Sequence, residues 1–324
     1  MTPDLSIVIP VRDESHNITK LYDELTGALT QHGRSFEVIV IDDGSTDDTF
    51  DQLTRLQAHD PRLRVIRFRR NFGQTAAFAA GFAYARGRLV VTMDGDLQND
   101  PNDIPGMAAR ADAGVDIVCG WRKDRKDTLI TRRIPSMIAN KLISWSTGIP
   151  LHDYGCSLKV FRTEVVKPLR LYGEMHRFLP AIASQIGVRI EEVVVNHRKR
   201  ESGASKYGLS RTIRVVLDLV TVKFLLSYST RPLQIFGLLG IGATALGALI
   251  TAYLGYVRLI LQQPIADRTP LLLVGVMLVF IGVQLVTFGL LAELLARTYY
   301  ESQNKPVYVI REILQTPDMS HAAS

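Results

Sequence analysis

Asp94-Gly95-Asp96 closes the apolar run Arg88-Leu89-Val90-Val91-Thr92-Met93. Two carboxylates one residue apart at the carboxyl end of a strand can share one hard divalent cation, and such a cation can bridge the two phosphates of a nucleoside diphosphate. That chemistry points to transfer from a nucleotide sugar. The same triplet also occurs in surface turns, where both side chains bond only water and nearby amides, so the rest of the chain has to decide. A zinc site finds no support: the seven histidines are scattered without a His-x-x-x-His pair, and the only cysteines are Cys119 and Cys156. His152, His176 and His197 read as surface or packed residues, and both cysteines as packed ones.

The carboxylates need a scaffold, and the first 120 residues supply one. Leu5 to Pro10, Phe36 to Ile41, Arg64 to Phe68, Leu89 to Met93 and Asp116 to Gly120 are short β-branched runs bounded by turn-forming residues. Helical stretches separate them at Asn17 to His32, Thr46 to Ala58 and Gln74 to Ala85. The alternation predicts an α/β domain with a Rossmann-like, mostly parallel sheet. Ligands of such sheets bind beyond the carboxyl ends of the strands, where Pro10 to Glu14, Asp42 to Ser45 and Asp94 to Gln98 fall. Three polar clusters therefore converge on one crevice.

Of the 324 residues 47% are apolar, which excludes general disorder, and they are unevenly spread. No charge occurs from Pro232 to Val257 or from Thr269 to Ala292, and each stretch exceeds the roughly 20 residues that cross a bilayer. The Arg258 to Arg268 connection is too short for a domain, so the two spans form a hairpin. Arg211, Arg214, Lys223 and Arg231 precede it, Arg297, Lys305 and Arg311 follow it, and the connection offers only Arg258 and Arg268. This asymmetry predicts that both termini are cytoplasmic. No basic region followed by an apolar segment stands before the first strand, so a cleavable signal peptide is not expected.

The segment 211–231 reads as an interfacial amphipathic helix or as a packed core helix. The division expected is a catalytic domain over 1–210, the interfacial helix, a hairpin over 232–297, and a cytoplasmic tail over 298–324. Gly275, Gly282 and Gly289 recur every seven residues, a small-residue face for another helix of the chain or of a homo-oligomer. The net charge of +6 is concentrated at Arg122 to Arg133 and Arg198 to Arg214 with no aromatic-studded face. It suits anionic lipid or phosphate, and nucleic acid is not expected.

Ile9-Pro-Val-Arg-Asp-Glu14, Ile41-Asp-Asp-Gly-Ser45, Arg70-Asn-Phe-Gly73 and Asp94-Gly-Asp-Leu-Gln98, in this order and spacing, resemble the family 2 glycosyltransferases of the GT-A fold. With two spans added, the chain resembles the polyisoprenyl-phosphate glycosyltransferases, which include the dolichyl-phosphate mannose synthases and bactoprenol glucosyltransferases. Within that group Leu97-Gln98-Asn99, Asp153-Tyr-Gly-Cys156, Ser205-Lys-Tyr207 and Lys305-Pro-Val-Tyr308 look most like the undecaprenyl-phosphate 4-deoxy-4-formamido-L-arabinose transferases. Asp153-Tyr-Gly-Cys156 stands where bactoprenol glucosyltransferases have Gly-Asp-Phe-Arg, which argues mildly against glucose.

The resemblance implies roles, residue by residue. Pro10, Arg12, Glu14, Asp42 and Asp43 would lie on the nucleotide-sugar side, with Asp42 accepting from the nucleobase imide. Arg12-Asp13 stands where the family has an aromatic or small residue followed by Asn. Glu14 could instead cap the first helix, and Asp42 to Ser45 could be a plain turn. Asp94, Asp96 and Gln98 would hold Mg²⁺ or Mn²⁺. Arg122, Arg132 with Ser136, Arg200 and Lys206 match positions that bind donor or acceptor phosphates. Asp153 takes the carboxylate position near the reacting centre, to orient the acceptor or to stabilise positive charge at the anomeric carbon. A phosphate acceptor is already anionic and needs little help from a base, so positioning and electrostatics carry the rate.

The activity implied is inverting transfer of one sugar from a nucleotide diphosphate, UDP above all, to undecaprenyl phosphate at the cytoplasmic face of the bacterial inner membrane, with coupling to a flippase left open. The alternatives are transfer from GDP-mannose as in dolichyl-phosphate mannose synthases, and a non-catalytic membrane module that binds nucleotide sugar or lipid phosphate. A processive synthase would carry Gln-x-x-Arg-Trp and more spans, and this chain has neither.

Overall fold

The computed structural model describes residues 2–123, 144, 148–171, 175–198, 232–264, 266–302 and 308–315. Two compact units are present: Met1–Leu219 with Pro306–Ser324, and Val220–Lys305.

The first unit is built on one eight-stranded sheet. In chain order it runs β1 (Leu5–Val11), α1 (Ile18–Gln31), β2 (Phe36–Asp42), α2 (Thr49–His59), β3 (Leu63–Phe68), α3 (Gln74–Tyr84), β4 (Leu89–Thr92), α4 (Ile104–Asp112) and β5 (Ile117–Trp121). Then come β6 (Lys159–Arg162), the short α5 (Thr163–Val166) and α6 (Leu179–Ala183), β7 (Ile190–Val194) and, much later, β8 (Ile310–Leu314). The spatial order is β7-β5-β6-β4-β1-β2-β3-β8. β1 pairs in parallel with β2 on one side and β4 on the other, β2 with β3, and β5 with β7; β6 and β8 run antiparallel to their neighbours.

β1, β2 and β4 show almost no exposed surface, as strands covered on both faces must. Helix α1 turns Ile18, Leu21, Leu25 and Leu29 onto this sheet at helical spacing. The chain leaves β1 in one direction to β2 and later crosses to β4 on the other side. That makes the carboxyl ends of β1 and β4 the switch point at which such sheets open a crevice.

Residues within the expected cytoplasmic tail supply β8, an edge strand on β3. Tyr308 stacks on Phe68 with ring centres 5.1 Å apart, Arg69 donates its amide to the Val309 carbonyl at 3.0 Å, and Arg67 reaches Glu312 at 3.3 Å.

The second unit is a pair of long helices, α7 (Pro232–Leu259) and α8 (Thr269–Ser302). Phe236–Leu259 and Ala266–Ala292 are long and apolar enough to cross a membrane. Gly275, Gly282 and Gly289 are all buried. A Cβ on Gly240 would stand 2.6 Å from the Gly282 carbonyl oxygen, and one on Gly247 2.5 Å from that of Gly275. The glycine face thus packs within the hairpin, where missing side chains let the backbones approach. The stretch 211–231, expected as an interfacial helix, lies outside the described residues.

Candidate active site

Residues 94 to 99 alternate in burial, with Asp94, Asp96 and Gln98 half-buried and Gly95, Leu97 and Asn99 buried. The buried Leu97 takes a left-handed backbone with φ of 62°, a conformation that costs a bulky residue energy and persists only where the surroundings fix it. Asn99 does much of the fixing: its side-chain oxygen accepts from the Asp94 amide at 3.2 Å and from Ser157 Oγ at 2.9 Å. The Arg198 amide donates to the Gln98 carbonyl at 3.0 Å, and the Gln98 amide to Asp96 Oδ1 at 3.2 Å. Asp94 Oδ1 accepts from Gln74 Nε2 at 2.7 Å, at the first turn of α3.

Asp94, Asp96 and Gln98 offer three oxygen donors of the kind that would suit a hard cation. Among the described residues no group of three or more His, Cys, Asp or Glu side chains is placed to hold a metal.

The loops after β1 and β2 lock together. Asp13, with φ of 55°, donates its amide to Ser45 Oγ at 3.0 Å and accepts from the Thr46 amide at 2.7 Å. Glu14 donates its amide to Thr49 Oγ1 at 2.9 Å, and its carboxylate accepts from Asn17 Nδ2 at 2.6 Å. The Glu14 carbonyl accepts from the amides of Asn17 and Ile18 at the start of α1. Pro10 is half-buried at the end of β1, and Arg12 is half exposed, 3.6 Å from Asp13.

The two aspartates after β2 are engaged in different ways. Asp42 has no exposed surface; its Oδ1 accepts from the Ser45 amide at 2.8 Å, and its Oδ2 lies 3.5 Å from Arg67 Nε. Burial pushes its pKa up, against the lowering effect of the Ser45 bonds and Arg67. Asp43 accepts from the amides of Phe72 at 2.7 Å and Gly73 at 2.9 Å, and burial likewise raises its pKa. Asp43 thus fixes the loop that delivers Gln74 to Asp94. Gly44 has φ of 70°, and a Cβ there would stand 2.7 Å from the Arg70 carbonyl carbon, so only glycine fits this turn.

Arg122 and Asp153 form an ion pair that is almost wholly withdrawn from solvent. Arg122 Nε donates to Asp153 Oδ2 at 2.7 Å and Nη2 to Oδ1 at 2.9 Å, with side-chain exposures of 13% and 4%. Burial works against the Arg122 charge, the bonds and charge of Asp153 outweigh it, and the result is a raised pKa to which Asp94 adds. Asp94 therefore lies close enough for its charge to act on Arg122. Both cysteines are free and buried beside this pair, and burial pushes the Cys119 thiol up to about 12, which leaves it unreactive.

Of the residues singled out from the sequence, the structure pairs Arg122 with Asp153, sets Asp94 near enough for its charge to act on Arg122, and encloses Asp42 in the sheet. Arg132, Ser136, Arg200 and Lys206 lie outside the described residues. Sequence reasoning missed Gln74, Asn99, Ser157 and the contact of His176 Nδ1 with Thr75 Oγ1 at 2.8 Å. Gln74 directly follows Arg70-Asn-Phe-Gly73 at a helix start, a signal that could have flagged it.

Known proteins resemble both the sequence and the fold. The sequence model of the family described as "Glycosyl transferase family 2" matches residues 6–170. A dodecaprenyl-phosphate galacturonate synthase of Rhizobium johnstonii is 47% identical over 323 residues, 98% of this chain and 95% of that protein. An undecaprenyl-phosphate 4-deoxy-4-formamido-L-arabinose transferase of Shewanella sediminis is 36% identical over 311 residues, 96% and 92% of the two chains. Among solved structures, glucosyl-3-phosphoglycerate synthase from Mycobacterium tuberculosis in complex with Mn²⁺ and UDP-glucose superposes with a TM-score of 0.52 at 18% identity, covering 68% of this chain and 79% of that one. Mannosyl-3-phosphoglycerate synthase from Rubrobacter xylanophilus gives 0.55 at 16% identity, with 68% and 74% covered.

Proposed function

Because the chain belongs to glycosyl transferase family 2, with the GT-A fold and a polyprenyl phosphate as sugar acceptor, we propose that it moves one sugar from a UDP-sugar with inversion at the cytoplasmic membrane face. The observation that supports this reading is the Arg122–Asp153 pair with Asp94 near enough for its charge to act on Arg122. The sugar we favour is galacturonate, since the relative named for it is 47% identical and those named for the arabinose derivative are 35–37% identical. The division into catalytic domain, interfacial helix, hairpin and tail, with the hairpin in the inner membrane and both termini cytoplasmic, is part of the proposal.

Asp94, Asp96 and Gln98 would hold Mg²⁺ or Mn²⁺, which when bound supplies charge neutralisation at the departing diphosphate. Pro10, Arg12 and Glu14 line the nucleotide side, with Asp42 and Asp43 shaping its floor. The bidentate grip of Asp153 leaves the Nη1 edge of Arg122 for a phosphate, so Asp153 orients the phosphate through Arg122. Arg132, Ser136, Arg200 and Lys206 complete the acceptor side. An acceptor phosphate oxygen attacks the anomeric carbon, the bond to the diphosphate breaks with its electron pair leaving on the diphosphate, and no net proton transfer is needed. Holding the two anions in line is the main task of the site.

The test is transfer of labelled sugar from UDP-galacturonate, UDP-4-deoxy-4-formamido-L-arabinose, UDP-glucose and GDP-mannose to undecaprenyl phosphate by the purified full chain with Mn²⁺. Label entering the lipid phase from UDP-galacturonate is the expected result. Label from GDP-mannose alone would replace this reading by the mannose alternative. Nucleotide-sugar binding without transfer from any donor would leave the non-catalytic module.

A further inference from the structure

Two opposite charges, a buried Lys159 and a largely covered Glu192, grip the loop that carries Asp153. Glu192 in β7 accepts the His152 amide at 2.9 and 3.0 Å on its two oxygens and the Asp153 amide at 2.9 Å, and it meets His152 Nδ1 at 2.7 Å. Lys159 in β6, only 3% exposed, donates its ammonium to the Tyr154 carbonyl at 3.4 Å and to the Cys156 carbonyl. In the sheet register Cys119 of β5 is the partner of Lys159 on one side and of Glu192 on the other. The two charges therefore stand in one row across three strands, roughly 10 Å apart at Cα for two strand spacings.

The two do not pair with each other. The loop lies between them, with the amides at its start on the carboxylate and the carbonyls at its end on the ammonium. Charge-assisted bonds of this kind are about twice as strong as neutral ones, and burying an ion costs several kcal/mol unless such bonds compensate it. The bonds to the loop supply that compensation, so each charge is tied to the loop's position. The loop delivers the carboxylate that fixes Arg122.

We propose that Glu192 and Lys159 are positioning residues for sugar transfer, which act by holding loop His152–Cys156 so that Asp153 presents Arg122 to phosphate. The proposal rests on the reading of the Arg122–Asp153 pair given above. Displacement of a positioned group by about 1 Å can cost about 10²-fold in rate. Loss of either grip is therefore expected to lower kcat about 10- to 100-fold, with UDP binding nearly unchanged because the Asp94 loop is untouched.

The experiment compares Glu192→Gln, Lys159→Met, Lys159→Arg and Arg122→Ala in the full chain. Its readouts are kcat and KM with UDP-galacturonate and undecaprenyl phosphate, UDP binding with Mn²⁺ by calorimetry, and thermal unfolding. Support is a kcat loss in Glu192→Gln and Lys159→Met with UDP affinity kept within about threefold, together with partial recovery in Lys159→Arg, which restores a buried cationic donor. Unchanged kcat would overturn the proposal. So would parallel loss of kcat, UDP binding and melting temperature in Glu192→Gln, which is the behaviour of a purely structural residue. The Arg122→Ala arm separates the two levels: full activity there fails the reading of the pair, whereas an inactive Arg122→Ala beside active Glu192→Gln and Lys159→Met fails this proposal alone.

Discussion

Truncation of Asp153 to alanine leaves the Arg122 guanidinium in a site where only 13% of its side chain meets solvent. It loses charge-assisted bonds of 2.7 and 2.9 Å together with the only carboxylate that pairs with it among the described residues. Removing one partner of a buried pair typically costs about 3–5 kcal/mol, because the other charge remains buried without compensation. For a domain of roughly 200 residues each kcal/mol lowers the melting temperature by about 2–4 °C, so Asp153→Ala is expected to melt about 6–20 °C below wild type. Arg122→Met in the same background removes the stranded charge, and the double variant should recover most of the loss. The assay is thermal unfolding by circular dichroism of the purified full chain, run as a double-mutant cycle over Arg122→Met, Asp153→Ala and the pair. A melting temperature within about 2 °C of wild type for Asp153→Ala, or a double variant as unstable as the sum of the two singles, would refute the pairing argument.

Gln74→Ala removes the 2.7 Å bond to Asp94, and partners that orient metal ligands are typically worth about 10- to 100-fold in metal affinity; a Mn²⁺ titration in the presence of UDP, followed by electron paramagnetic resonance, should record a loss of that size, and an unchanged affinity would contradict the role. The Arg62 side-chain bonds to Asp60 hold that carboxyl down to about 2, so its contribution to stability is present above the ordinary carboxylate pKa and is lost as pH falls toward 2. Asp60→Asn should accordingly be less stable than wild type at pH 5–7, with the gap closing during acid titration; a gap that widens with falling pH would reverse the sign. With Gln263 between the two apolar helices, a cysteine placed there should be labelled in intact cells by a membrane-impermeant thiol reagent from the periplasmic side alone, and labelling from the cytoplasm would invert the topology.

The strand and helix pattern up to Trp121 was legible because β-branched runs and helical stretches alternate with turn residues at every boundary, and those signals are local. The two apolar helices were legible for the same reason, since length and absence of charge need no partner to be seen. The face on which Gly275 and Gly282 lie was readable, yet only the structure identified α7 as what fills it. β8 was missed because an edge strand is defined by the neighbour it pairs with, and β3 lies more than 240 residues away from it in sequence.

The site divides along the same line. Asp94, Asp96 and Gln98 were singled out by the order and spacing of short motifs, which the sequence shows directly. No spacing rule connects Glu192 or Lys159 to Asp153, and nothing in Ile41-Asp-Asp-Gly-Ser45 tells that Asp42 turns into the sheet while Asp43 holds the loop before α3. Sequence by itself thus determined the family and the first five strands, both properties of short segments read in order. Tertiary structure decided which carboxylates are spent on holding loops and which charge faces which, because hydrogen bonds and buried ion pairs act over a few ångströms in space and depend on contacts between segments far apart in the chain.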